Sequence, residues 1–171
     1  GTLGKIDSCQ IAVSTVLRTA TASWLLAMDL YLPVSWTEDE KRRIEAGLPD
    51  RTRYRPKWRI SLSQIAKIRR EGFEIECVVA DAGYGDTVEY RKGLARMGLS
   101  YMVGVSGPTA IRTEPPRFVE AKKNPRGRPR TRRIAKNNKK PRAIRDVVED
   151  LPATAWRTIR WKNEAGKMKH G

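Results

Sequence analysis

Gln10–Arg18 (QIAVSTVLR) alternates apolar and polar side chains and is rich in Val, Ile and Thr, which predicts a strand. After a short connection at Thr19–Thr21, Ala22–Leu32 alternates again, with Trp24, Leu26, Met28, Leu30 and Leu32 expected on one face and Pro33 closing the element. The pair predicts an antiparallel hairpin. The period then changes. Thr37-Glu-Asp-Glu40 has the spacing of a capping box and predicts a short charged helix ending at Gly47. Pro49–Trp58 reads as a basic loop, and Ser61–Gln64 as a second capping box opening a helix with Leu62, Ile65 and Ala66 inward and Gly72 as its stop. Ile75–Ala80 (IECVVA) is nearly continuous in apolar and small residues, the mark of a strand covered on both faces, typically parallel and central. A helix over about Thr87–Met97 shares Tyr90, Leu94 and Met97 on one face, and Ser100–Ser106 is a further strand. Ala155–Trp161 adds a last candidate strand. A hairpin followed by strand–helix–strand units predicts an α/β fold with a mixed sheet and helices on its faces.

Composition narrows the partner. The 171 residues carry 35 Lys and Arg against 19 Asp and Glu, a formal charge of +16. Such an excess on a short chain points to a polyanion, nucleic acid before a membrane surface. Cys9 and Cys77, with no Cys-x-x-Cys or His cluster, are expected as reduced, buried, small apolar residues, and the chain as cytoplasmic and nucleoid-associated. No signal peptide is evident, and the most apolar window, Trp24–Val34, is interrupted by Asp29 and too short to cross a bilayer. The chain begins with Gly1 and stops in KNEAGKMKHG without a closing element, so it reads as an internal piece of something longer.

Asp81 stands where the apolar run ends, followed by Ala-Gly-Tyr-Gly-Asp86. Acids at the carboxyl end of such a strand sit where open α/β sheets place their ligands, whereas an Asp there can equally start a turn. GTLGKIDSCQIAVS, LYLPVSWTEDEKRR, VVADAGYGD, YMVGV and LPATAWRTIRW occur in the order and spacing of one group of bacterial insertion-sequence transposases, which the chain resembles over essentially its whole length. That resemblance implies a ribonuclease-H-like DDE catalytic domain that cuts and joins duplex DNA with two Mg²⁺ ions (Mn²⁺ being able to substitute), and an intact enzyme that can be oligomeric. It makes Asp81 the second metal-binding carboxylate of the triad. Two ions roughly 3.5–4 Å apart can serve both the attacking and the leaving oxygen at one phosphorus. The first Asp is expected upstream of Gly1 and the Glu beyond Gly171, so the fold would be incomplete and the chain alone inactive. Asp29 lies among Leu26, Met28 and Leu30 and reads as a structural acid, Asp7 as a loop residue, and Asp86 as a cap for the next helix.

Residues 121–145 hold twelve Lys or Arg and no acid. Lys122, Lys123, Arg126, Arg128, Arg130, Arg132, Arg133, Lys136, Lys139 and Lys140 are the candidate DNA contacts. Arg126-Gly-Arg-Pro129 is similar to an AT-hook, whose arginines enter a narrow minor groove; the alternative is a solvated linker touching phosphates without preference. His170, the five tryptophans, and Gly104 with Gly107 suggest no chemistry, the tryptophans reading as core or loop anchors. The expected organisation is a partial catalytic domain over 1–120, a basic flexible insertion over 121–145 and a truncated continuation over 146–171. The competing function is a non-catalytic DNA-binding module acting through 121–145.

Overall fold

The computed structural model describes residues 10–115, 117–119, 134–135, 140–162 and 166–171. Within them the chain is mixed α/β, and it divides into two compact units, Gly1–Val105 and Ser106–Gly171. Cys9, Asp7 and all the candidate DNA contacts except Lys140 lie outside the described residues.

In the first unit, β1 (Ile11–Arg18) and β2 (Ser23–Tyr31) form the expected antiparallel hairpin. Thr15 faces Ala27 but Val16 faces Leu25, so Leu26 is the extra residue of a β-bulge. The bulge breaks the single apolar face expected for β2. Val13 is buried, opposite Asp29, on the side that meets α3 (Lys57–Arg70). Trp24, Met28 and Leu30 remain 50, 64 and 48 % exposed. Trp36, Trp156 and Trp161 are also exposed, and of the five tryptophans Trp58 is the one that packs against the core.

Two capping boxes fall differently from the expectation. Thr37 ends a short helix, α1 (Val34–Thr37), and turns its hydroxyl back to the Pro33 and Val34 carbonyls. Asp39 is the residue that caps α2 (Glu40–Glu45), accepting from the Arg42 N–H at 3.1 Å. Helix α3 begins four residues before Ser61, behind Pro56, whose ring presets the backbone for a helix start. Ser61 and Gln64 are therefore buried mid-helix, and both find tertiary partners. The Ser61 hydroxyl meets the Tyr90 hydroxyl at 3.2 Å. Gln64 Nε2 donates to the Val13 carbonyl at 2.8 Å and to Asp29 Oδ2 at 2.7 Å, while its Oε1 accepts from Thr15 Oγ1 at 2.8 Å. Gly72, with φ of 91°, ends the turn after α3 as expected.

Strand β3 (Cys77–Ala80) leads through α4 (Ala82–Gly85) and α5 (Val88–Arg96) to β4 (Ser100–Val103), which lies parallel to it. The core is Ile65 of α3 with Tyr90 and Leu94 of α5, flanked by Leu62, Val78 and Val103. Val78 and Ala80 pack on this core, but Val79 is 75 % exposed beside Met102 of β4 at 71 %. The apolar run is thus covered on one face only, and Cys77 is exposed rather than buried. Nor do the hairpin and β3 share a sheet: each belongs to its own two-stranded sheet. The apolar run reports a strand's preference, but coverage depends on a second layer, and none lies over this face among the described residues.

In the second unit, β5 (Ala110–Ile111) pairs antiparallel with a strand near the end of the basic stretch, and β6 (Phe118–Val119) with β7 (Ile134–Ala135). The partner of β5 is β8 (Arg142–Ala143), which runs into α6 (Ile144–Glu149). The strand expected over 155–161 is shorter and later: a 3₁₀ turn occupies Ala153–Ala155, and β9 (Arg160–Lys162) pairs with β10 (Met168–His170).

Gln64→Leu leaves Val13 O and Asp29 without their donor and should cost about 1–3 kcal/mol. Gln64→Glu brings a second carboxyl against Asp29, so ionising both is opposed and their folded-state pKa values rise. The added destabilisation is then largest well above the ordinary carboxylate value of about 4 and is relieved as pH falls through the raised values. Urea unfolding at about pH 7 and about pH 4 should show the Glu variant recovering relative to the Leu variant.

Candidate active site

Asp81 follows the last residue of β3 and stands at the N-cap of α4 with extended backbone, φ −78° and ψ −179°. Its carbonyl accepts the first turn, from Tyr84 N–H at 3.2 Å and Gly85 N–H at 2.9 Å. Its carboxylate makes no capping bond to α4. An exposed carboxylate not spent on the helix keeps its oxygens available to a cation or a donor.

The chain is forced back at this point by a contact between backbones. The Gly104 N–H bonds the Ala80 carbonyl at 2.9 Å, extending the β3–β4 ladder one step past β4. There α4 lies directly on the end of β4. A Cβ on Gly85 would fall 1.8 Å from the Gly104 carbonyl oxygen, and one on Gly104 would fall 2.9 Å from the Ala82 nitrogen. Neither Gly83 nor Gly85 has positive φ. They are glycines for space, not for torsion, and Gly85 makes room for the chain itself rather than for a bound backbone. Gly83 sits beside the carboxylate, where a Cβ would be 3.1 Å from Asp81 Oδ1. The Arg91 guanidinium hydrogen-bonds the Gly85 carbonyl and ties α4 to α5.

Asp81 lines a cleft of about 740 Å³. Consecutive residues Ser14–Arg18 of β1 with Thr19 after it, and Phe73–Ala80 through β3, line the same cleft together with Ile65 and Ile68 of α3. Strands that contribute every successive residue contribute their edges, and neither β1 nor β3 has a second strand partner among the described residues. Open edges of this kind are unpaired rows of N–H and C=O groups. Tyr84 and Tyr90 also border the cleft, their rings 5.4 Å apart. Burial pushes the Tyr84 phenol up, and the charge of Asp81 adds to it. Burial likewise raises Tyr90, opposed by the hydrogen bond with Ser61 and reinforced by Asp81.

The other acids are placed elsewhere. Asp29 is held by Gln64, as a structural acid would be. Asp86 occupies the C-cap of α4, while the N-cap of α5 is Thr87, so the capping role expected of Asp86 is not the one it takes. No group of three His, Cys, Asp or Glu that could hold a metal ion comes together among the described residues. Those residues therefore fit one ligand position for a divalent ion, not a complete site. Gly104 was missed by sequence reasoning as a packing position; its signal, a glycine directly after a strand, is weak. Lys140, the one described member of the basic set, is exposed.

A family model described as DDE superfamily endonuclease matches residues 1–167. No curated protein and no solved structure matches the chain.

Gly85→Ala must displace backbone on one side or the other and should cost about 3 kcal/mol, the upper end for overpacking. Gly83→Ala, which meets only a side-chain oxygen, should stay within about 1 kcal/mol because alanine also favours the helix. Urea midpoints of the two variants test this ordering.

Proposed function

The chain belongs to the DDE superfamily endonucleases, and on that premise we propose that it is the ribonuclease-H-like catalytic part of a transposase that cuts and joins duplex DNA at insertion-sequence ends. Endonucleases of this superfamily act on DNA and generally use divalent metals; Mg²⁺ is the ion proposed here. The observation that carries the reading is the Asp81 carboxylate, exposed and uncapped at the carboxyl end of a parallel strand, on a cleft between two open strand edges.

Asp81 supplies one hard oxygen ligand, of the kind Mg²⁺ accepts alongside waters and phosphate oxygens. When bound, the ions would stabilise charge on the attacking and leaving oxygens of the phosphodiester. The protein's own contribution is positional. The ladder bond from Gly104 to Ala80 and the Gly85–Gly104 contact hold the Asp81 backbone, and Gly83 leaves the carboxylate uncrowded. The remaining two acids are proposed to come from sequence outside residues 1–171. The edges of β1 and β3 can each hydrogen-bond one further strand, and a strand taken up there would run past Asp81. The 121–145 segment is proposed to add phosphate contacts, with Arg126 and Arg128 in the minor groove of A·T-rich sites.

In a form of the protein extended to include all three acids, Asp81→Asn should lower Mg²⁺-dependent cleavage of duplex DNA by at least about 100-fold, since even residues supporting a ligand cost 10–100-fold. Duplex binding, measured in parallel, should be retained. The 171-residue chain alone should bind DNA and not nick it. Cleavage unchanged in the extended Asn variant would remove Asp81 from the site, and binding without any cleavage in that form would favour the DNA-binding module.

A further inference from the structure

A second cleft, of about 380 Å³, lies in the first unit away from Asp81 in its lining. Its lining combines apolar Leu30, Leu32 and Ile60 with Arg51, Arg53 and Arg55. The arginines come from Pro49–Arg59 (PDRTRYRPKWR), where Arg51, Arg53, Arg55, Lys57 and Arg59 occupy every second position against a single acid, Asp50. All five cations are exposed, while Thr52, Pro56 and Trp58 between them are half-buried. Arg51, Arg53 and Arg55 alternate along the irregular stretch before α3, and Lys57 and Arg59 continue the set on the first turn of that helix. None of the five forms an ion pair among the described residues.

The cations are also gathered. Arg43 and Arg53 both donate from Nη1 to the Asp50 carbonyl, at 3.1 and 2.9 Å, and Arg43 Nε is buried without a hydrogen-bond partner. Lys57 stands 5.0 Å over the Tyr31 ring, which packs edge-on against Tyr54 at 6.4 Å. Like charges held this close repel, and an anion shared among them relieves the repulsion. Guanidinium groups match phosphate in geometry, and the apolar residues that share the lining suit a sugar face.

We propose that this arginine cleft binds the sugar–phosphate backbone of duplex DNA, as a contact of the first unit in addition to the 121–145 segment. The proposal rests on the reading of the chain as a DNA endonuclease. It makes the site sequence-independent: phosphate contacts position the protein and do not read bases.

The test uses the whole 171-residue chain and a short fluorescent duplex, with binding measured across a salt series. Arg51→Gln/Arg53→Gln/Arg55→Gln should make the log–log salt slope shallower by about 2.7, three contacts at about 0.9 each. Arg51→Gln/Arg55→Gln, which leaves the Arg53 bonds to backbone carbonyls intact, should reduce it by about 1.8. The triple Lys variant should keep most of the slope. An unchanged slope in the triple Gln variant, with unfolding by urea also unchanged, overturns the proposal; so does a loss of affinity that the Lys variant fails to restore. A slope unchanged on DNA with binding lost to phosphatidylserine vesicles would assign the arginines to a membrane instead, and also overturns it. If the unsubstituted chain binds no duplex at all, the endonuclease reading falls as well; if only the arginine variants are silent, this site alone falls.

Discussion

The side-chain amide of Gln64 joins the hairpin to the rest of the first unit. It donates to the Val13 carbonyl and to Asp29 of the facing strand, and accepts from Thr15, so one residue of α3 satisfies groups on both hairpin strands. Apolar contact alone would let a two-stranded ribbon slide on a helix. Directional bonds, one to the buried Val13 carbonyl and two to the partly buried Thr15 hydroxyl and Asp29 carboxylate, set the register, because a slip of one residue would break them together. The same helix turns Ile65 towards Tyr90 and Leu94 and Ser61 towards the Tyr90 hydroxyl, so α3 carries the hairpin on one side and α5 with β3 and β4 on the other.

That arrangement leaves the edges of β1 and β3 on one cleft and puts Asp81 at its end. Two glycines on separate elements then determine where the carboxylate stands. Only without side chains at both Gly85 and Gly104 can α4 rest against the end of β4. The carboxylate is spared from capping, and Tyr84 and Tyr90 pack beside it, their phenols pushed up by burial first, with Asp81 adding to both and the Ser61 hydrogen bond opposing the rise at Tyr90. A ligand-binding acid needs this combination: a rigid backbone and an unspent side chain.

The basic character of the chain divides in kind. Over 121–145 the cations follow one another without acids and with Pro and Gly between them, a composition suited to tracking a polyanion. In Pro49–Arg59 the half-buried Thr52, Pro56 and Trp58 anchor a segment whose exposed cations pass from an irregular stretch onto the first turn of α3. The first pattern needs no fold to act. The second acts only because the segment is anchored.

The sequence by itself determined the hairpin, the two glycine stops after α2 and α3 at Gly47 and Gly72, the βαβ step around Asp81, and the charge that points to a polyanionic partner. Each is a local property: alternation, a left-handed glycine, an apolar run ending in an acid. What Ser61 and Gln64 do was not legible, because a capping box and a pair of buried tertiary donors have the same spelling, and only the early start of α3 behind Pro56 separates them. Coverage of β3 was not legible either. Its apolar residues record what the strand would bury, whereas burial depends on which other elements arrive, and among the described residues α3, α5 and Tyr84 of α4 do so on one face. The reason for the glycines of the Asp81 turn was not legible: their φ values are ordinary, and at Gly85 the constraint is a clash with Gly104, nineteen residues beyond it. Steric exclusion between distant backbones leaves no periodic trace along a chain, so the tertiary structure alone could decide it.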